Sequence, residues 1–381
     1  MMLRANWSYP TAISFGAGRI SELSDACLTV GIKKPLLVTD RGLADLPITE
    51  RAMDLLRSAG LNPVIFSEVD PNPNDVNLDA GLTMYREGAH DGVIAFGGGS
   101  GLDLAKMVAF MAHQTRPVWD FEDVEDWWLR ADAKTIAPIV AVPTTAGTGS
   151  EVGRASVITN SKAHQKKIIY HPKVLPSVVI CDPELTVGMP KFITAGTGLD
   201  AFAHCVEAFS SPHYHPMGQG IAIEGMKLVI ENLPKAYENP GDLEARSNMM
   251  SAALMGATAF QKGLGAIHAL SHPIGAHFNT HHGTTNALLM PAVLQLNAPV
   301  IKERFDQVVG YLGLSGGFVG FCEFVDSFNE SFAIPKTLSA LGISAPDIET
   351  LVGGALSDPS CGGNPVPLTV ENLRPILESV A

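Results

Sequence analysis

Strand-length runs of apolar residues recur through the first half of this chain and then stop. PLLVTD at 35–40, PVIFSEV at 63–69, GVIAF at 92–96, IAPIVAV at 136–142 and SVVIC at 177–181 each fit a buried strand. Stretches of helical period lie between them: Ile48–Ala59, Asp75–Glu87 with Asn74 or Asp75 as its cap, and Leu102–Ala112. Strands that are apolar on both faces must be covered on both faces. Alternating with helices, they predict a Rossmann-like parallel sheet, an α/β domain. Ala155–Thr159 and Lys167–Tyr170 fit a separate hairpin. After about Val187 strand patterns vanish, and Ala-, Leu-, Met- and Glu-rich segments such as Gly218–Leu233 and Leu243–Ala259 predict an all-α domain. The expected division is 1–187 for the α/β domain and 188–381 for the helical one.

Composition narrows the function. The formal net charge is -13, which repels phosphate backbones and excludes nucleic acid as an expected partner. The N-terminal MMLRANWSYP has no apolar stretch of signal-peptide kind, and no run of about 18 apolar residues occurs. The five cysteines are scattered and show no CxxC spacing, as free thiols in a reducing compartment would. The expectation is a cytoplasmic protein with no membrane association.

Two loops carry a phosphate-binding logic. In GVIAFGGGSGLDLAK at 92–106 a buried strand runs into three glycines and then into a helix. Glycines let backbone approach a ligand closely, and the helix N-terminus offers unpaired N–H groups at its positive dipole end. The spacing is not GxGxxG. PTTAGTGSE at 143–151 follows the next strand, with hydroxyls at Thr144, Thr145, Thr148 and Ser150. Two such loops side by side predict a cofactor crevice at the carboxyl ends of the strands. Asp40 ends the first of these strands. It fits either a turn cap or a carboxylate that holds a ribose hydroxyl pair and repels a 2′-phosphate, favouring NAD over NADP.

The helical half concentrates imidazoles. Five of the twelve histidines lie between His268 and His282, in GLGAIHALSHPIGAHFNTHHG. Upstream, Asp200 and His204 in GLDAFAHCVE are four apart and share a helix face, so both can grip one ion. His268 and His272 have the same spacing. His281 and His282 are adjacent and should point in different directions. One carboxylate with several imidazoles and no nearby thiolates suits Fe(II) or Zn(II). His213 and His215 read as surface residues, and His277 as an ordinary hydrogen-bonded core or surface residue.

Together these segments resemble the iron-containing (group III) alcohol dehydrogenase family over essentially the whole chain. The resemblance rests on VTD at 38–40, PNPN at 71–74, GGGSGLDLAK at 97–106, PTTAGTGSE at 143–151, DPEL at 182–185, GLDAFAHCVEA at 198–208, GLGAIHALSHPIGA at 263–276 and HHGTTNA at 281–287. It implies the dehydroquinate synthase-like/iron alcohol dehydrogenase fold and a metal held by Asp200, His204, His268 and His282. Spacing alone would have favoured His272 beside His268. The resemblance instead places His272 near nicotinamide and substrate, to relay a proton or orient the substrate. It implies Asp40 at the adenosine ribose and Asn72, Gly98, Gly99 and Ser100 around the pyrophosphate. Thr144, Thr145, Thr148, Lys166 and Leu185 would line the rest of the cofactor, and Phe260 and Cys361 would approach the substrate pocket.

The implied activity is reversible hydride transfer between NAD and a small primary or secondary alcohol, with Fe(II), or alternatively Zn(II), as metal. A homodimer or higher homo-oligomer is expected. Glycerol dehydrogenase-like, maleylacetate reductase-like and dehydroquinate synthase-like chemistries share the scaffold. A non-enzymatic metal-binding protein is the alternative from another class.

Overall fold

The computed structural model describes residues 8–343 and 347–381. Most of the N-terminal segment read for a signal peptide lies outside them. Packing divides the described residues into two units: Tyr9–Thr145 with Gly149–Gly188, and the chain from Met189 onward with Ala146–Thr148 and Ser8.

The first unit is built on a six-stranded, wholly parallel sheet of β1 (Ala12–Phe15), β2 (Pro35–Val38), β3 (Val64–Phe66), β4 (Gly92–Gly97), β5 (Ile139–Pro143) and the final strand β8 (Val178–Cys181). Its order is β1-β8-β5-β4-β2-β3. Every residue of β2, β4 and β5 is buried, which is why they read as unbroken apolar runs. β1 is short and only partly buried, and its four residues carry no such run. PVIFSEV forms only a three-residue strand, because β3 is an edge with a single neighbour. Helices α1 (Leu23–Thr29), α2 (Pro47–Ser58), α3 (Asp75–Glu87) and α4 (Gly99–Met111) connect the strands. Asn74 is the cap of α3, and Asn77 returns the bond in a capping box. Between β5 and β8, β6 (Ala155–Asn160) and β7 (Gln165–Tyr170) form a separate antiparallel pair.

The strand order places a topological switch at β2, whose neighbours β3 and β4 both follow it in sequence. In open α/β sheets ligands gather beyond the carboxyl ends of strands at such a point. Asp40 and the Gly97–Ser100 loop are the residues found there.

The second unit is helical: α5 (Lys191–Ser210), α6 (Pro216–Glu238), α7 (Leu243–Ala259), α8 (Ala266–Phe278), α9 (His282–Val308), α10 (Gly317–Ser331), α11 (Ile348–Leu356) and α12 (Val370–Ser379). Every residue of α5 from Thr194 to Ser210 is buried. Such a helix needs neighbours on all sides, and glycines let them come close. A Cβ on Gly283 of α9 would lie 2.0 Å from the carbonyl oxygen of Gly196 in α5. One on Gly256 of α7 would lie 3.0 Å from the His204 Cβ, and one on Gly225 of α6 would lie 2.5 Å from the Cys205 Sγ. Pro273 is accommodated inside α8. Among the described residues no helix is long and apolar enough to cross a membrane.

Candidate metal centre and cofactor loops

Crossings of α5, α8 and α9 bring together side chains from three distant segments. Asp200 and His204 are one turn apart on α5, His268 lies in the first turn of α8, and His282 opens α9. Asp200 Oδ1 is 4.0 Å from His204 Nε2, 3.8 Å from His268 Nε2 and 3.6 Å from His282 Nε2. One atom each of Asp200, His204 and His268 lie within 4.8 Å of one another, a spacing that can hold a metal ion. Gly283 makes the α5–α9 approach possible, since its missing Cβ would also lie 2.9 Å from the Asp200 Cβ.

The donor set fits a divalent transition metal. Burial holds His204 well below its usual range, at about 4, despite the neighbouring Asp200. A neutral imidazole is the form that ligates. Burial would lower His268 too, but there the charge and hydrogen bond of Glu207, with Asp200, prevail and raise it. The Asn286 amide nitrogen lies 2.7 Å from Asp200 Oδ1, 3.3 Å from His268 Nε2 and 3.2 Å from His282 Nε2. Polar side-chain atoms of three candidate ligands therefore surround one small group, as they would surround a cation. Cys205 is next to His204 in sequence, but burial pushes its thiol up to about 12 and its sulfur lies toward Gly225. The side chains of Asp200, His204 and His268 are at most 6 % exposed and that of His282 is 25 % exposed. Access is thus on the His282 side.

His272 stands beside this group. Its ring stacks on His282 at 5.4 Å, and its Nδ1 lies 2.7 Å from Asp358 Oδ2. Burial alone would raise the Asp358 carboxyl, yet His272 and the Ser360 amide hold it below its ordinary value. Phe260 packs its ring 5.2 Å from that of His204, and half-buried Cys361 follows Asp358 in the same turn.

His281 points away, as adjacency predicted. It caps α9, its Nδ1 accepting from the Thr284 amide. His213 and His277 are exposed. His215 is not a surface residue. It is buried, and its Nδ1 caps α6 by accepting from the Gly218 amide at 2.9 Å.

In the α/β unit the two glycine loops adjoin. β4 and β5 pair through Gly97 and Pro143, and the Thr144 amide donates to the Gly97 carbonyl at 2.9 Å. A Cβ on Gly98 would lie 3.1 Å from the Thr145 side chain. No side chain caps α4, so the amides of its first turn, around Gly99 and Ser100, stay available to an anion. Ser100 Oγ donates to the Pro71 carbonyl at 2.5 Å, which ties this turn to the Asn72 loop. Asp40 uses Oδ1 as a turn cap for Gly42 and Leu43, at 2.8 and 3.1 Å. Its Oδ2 lies toward Gly97. Lys166 pairs with Thr159 across the hairpin. Strand alternation places it on the face opposite Lys167, which pairs with Glu122 at 3.2 Å. Leu185 is buried in the core of the α/β unit. Thr148 groups with the helical unit, as does Gly147, which abuts Thr197 so closely that a Cβ would lie 2.7 Å from that side chain.

A buried strut supports the second loop. The fully buried Lys106 donates to the carbonyls of Ser150 (2.9 Å) and Ala155, and lies 3.4 Å from Asp103. Asp103 in turn accepts from the Ser150 hydroxyl and the Val157 amide. Sequence reasoning passed over this strut, and over Glu207, Asn286 and Asp358. Two of these carry a local signal: Glu207 is seven residues after Asp200 on a helical period, and Asn286 is four after His282. Asp103 and Lys106 are three apart on a helical period, though nothing local shows that they brace a second loop; for Asp358 no signal exists short of the fold.

The chain matches the family described as iron-containing alcohol dehydrogenase over residues 10–183, and the C-terminal region of the Fe-containing alcohol dehydrogenase family over residues 194–381. It is 37 % identical to a 4-hydroxybutyrate dehydrogenase of Cupriavidus necator, across 97 % of this chain and 98 % of that protein. It is 34 % identical to an NAD-dependent methanol dehydrogenase of Bacillus methanolicus, across 98 % and 99 %. A crystal structure of a 1,3-propanediol oxidoreductase superposes with a TM-score of 0.93 at 32 % identity, covering 99 % of this chain and 100 % of that one. The chain belongs to the iron-containing alcohol dehydrogenase family. It is an enzyme, a metal-dependent oxidoreductase of that family's type, with the family's parallel-sheet and all-α architecture.

Proposed function

We propose that this enzyme interconverts small alcohols and their aldehydes or ketones by hydride transfer to and from NAD. The observation that carries the proposal is the convergence of three Nε2 atoms on one carboxylate oxygen, 3.6–4.0 Å away, in a chain of this family. Asp200, His204, His268 and His282 hold Fe(II), with Zn(II) as the alternative. Such a cation supplies Lewis acidity to an alcohol or carbonyl oxygen. NAD supplies the hydride acceptor, and the protein positions it.

Asp40 accepts from the adenosine ribose hydroxyls through Oδ2, because Oδ1 is committed to its turn. Asn72, Gly98, Gly99 and Ser100 surround the pyrophosphate with backbone N–H groups. Thr144, Thr145, Thr148, Lys166 and Leu185 contact the remainder of the cofactor. His272 has its Nδ1 proton engaged by Asp358, so it takes up or releases the substrate's proton at Nε2. Short alcohols are favoured as substrates because the relatives' names specify 4-hydroxybutyrate, methanol and 1,3-propanediol.

The test strips the protein with a chelator, reloads it with Fe(II) or Zn(II), and follows NADH absorbance across a panel of C2–C6 alcohols and aldehydes. Metal-dependent turnover that disappears in Asp200→Ala is expected. Stoichiometric metal binding with no nicotinamide reduction across the panel would overturn the proposal in favour of a binding protein.

A further inference from the structure

Glu207 is a buried carboxylate with both oxygens engaged. It is 5 % exposed and lies two turns beyond Asp200 on the buried helix α5. Oε1 accepts from the Ile267 amide at 2.7 Å, and Oε2 lies 2.5 Å from His268 Nδ1. The Ile267 amide is one of the first in α8, a helix whose own N-cap, Gly265, offers no side chain. The neighbouring Ala266 amide is taken by Asn364 Oδ1 at 3.1 Å. Glu207 therefore does two things with one side chain: it caps the helix that carries His268 and it grips the ring.

An ionised carboxylate can only accept hydrogen bonds. His268 Nδ1 must then be the donor, which leaves the Nε2 lone pair directed at the space beside Asp200 Oδ1, 3.8 Å away. We propose that Glu207 is a positioning residue that locks His268 in the Nδ1–H tautomer and so keeps its Nε2 lone pair available to a divalent metal. This rests on the reading of His268 as a metal ligand.

The sharp variant is Glu207→Gln. Glutamine keeps the size and can still accept from Ile267, but it turns an NH2 toward Nδ1. That NH2 demands a lone pair there and drives the proton to Nε2, where it blocks ligation. The experiment measures Zn(II) affinity of wild type, Glu207→Gln and Asp200→Ala by competition with a chromophoric chelator, alongside the melting temperature of each metal-free protein. Glu207→Gln should bind Zn(II) about 10- to 100-fold more weakly, with metal-free melting close to wild type. The Co(II) derivative should show a ligand-field spectrum altered by loss of an imidazole.

Zn(II) affinity within about threefold of wild type, with Asp200→Ala strongly impaired, overturns the role of Glu207 and leaves the metal centre standing. Unchanged affinity in both variants overturns the ligand reading itself. A measurement on the unmutated protein stands apart from how the variant folds. In 15N-histidine-labelled, Zn-loaded wild type, His268, assigned through His268→Gln, should show a protonated Nδ1. A protonated Nε2 would refute the proposal.

Discussion

Asp40 in the α/β unit is oriented by its neighbours two and three residues on, Gly42 and Leu43. The glycine loop is shaped by its own backbone and the adjacent strand. In the helical unit the polar contacts that define the metal centre span far longer stretches. Glu207 reaches His268 across 61 residues, Asn286 reaches Asp200 across 86, and Asp358 reaches His272 across 86. A sheet offers ready-made ligand positions at its strand ends, so a short loop suffices there. A helix bundle offers only side chains, and these must be steered by helix crossings and by carboxylates placed behind the imidazoles. The Lys106–Asp103 strut is the place where the α/β unit uses the helical unit's method.

The largest effect should come from the centre of the helical network. Asp200→Ala removes the oxygen that all three Nε2 atoms face, and should cut kcat/KM about 10³-fold, the loss of several kcal/mol of Lewis-acid stabilisation. Steady-state NADH formation and metal content check it together; retention of both would dissolve the contrast between the units.

Next comes the crossing itself. Gly283→Ala forces a methyl group into the Gly196 carbonyl. Overpacking against backbone should cost about 3 kcal/mol, read as a lower urea midpoint, with metal affinity falling in parallel. An equivalent change at Gly241, which sits on the surface away from the crossing, should leave both within about 0.5 kcal/mol.

Glu151, next to the strut, gives a pH signature in the α/β unit. Burial raises the Glu151 carboxyl from 4.5 to about 7, against the opposing pull of Lys106. The folded state holds this proton more tightly than the unfolded chain does. Its contribution to stability is therefore fully present below about pH 4.5 and is lost as pH rises through about 7, up to about 3 kcal/mol in all. Urea unfolding between pH 4.5 and 8 should show this decline in wild type and not in Glu151→Gln. Parallel curves would remove the buried Glu151 as a source of pH dependence.

The smallest effect belongs to the most local contact. Asp40→Asn retains an oxygen for the Gly42 and Leu43 amides and deletes only the charge. The preference for NADH over NADPH, taken as a ratio of kcat/KM, should narrow about tenfold, worth roughly 1.4 kcal/mol. An unchanged ratio would reduce Asp40 to a turn cap.

Much of this was legible in the chain. Unbroken apolar runs marked the strands of the first unit and period-3.6 patterns its helices, and α3 of that unit and α7 of the second keep the limits that the sequence implied. β1 escaped because it is a four-residue, partly buried edge strand whose apolar run is broken by Ser14. His215 was misread because Pro and neighbouring polar residues mark a turn but cannot show that the turn is buried and its ring caps a helix. Spacing on α8 made His268 and His272 equal candidates. The family resemblance separated them, and the fold gives the physical reason: one has Glu207 and a view of Asp200, the other Asp358 and the face of His282.

By itself the sequence determined which elements form and which residue types gather, because hydrophobic period, glycine and helix-capping preferences act over a few residues. Tertiary structure alone decided which imidazole nitrogens look at one oxygen and which carboxylates stand behind them. Those relations depend on helix crossings set by close packing between segments 60 to 90 residues apart, and packing at that distance leaves no periodic trace in the chain.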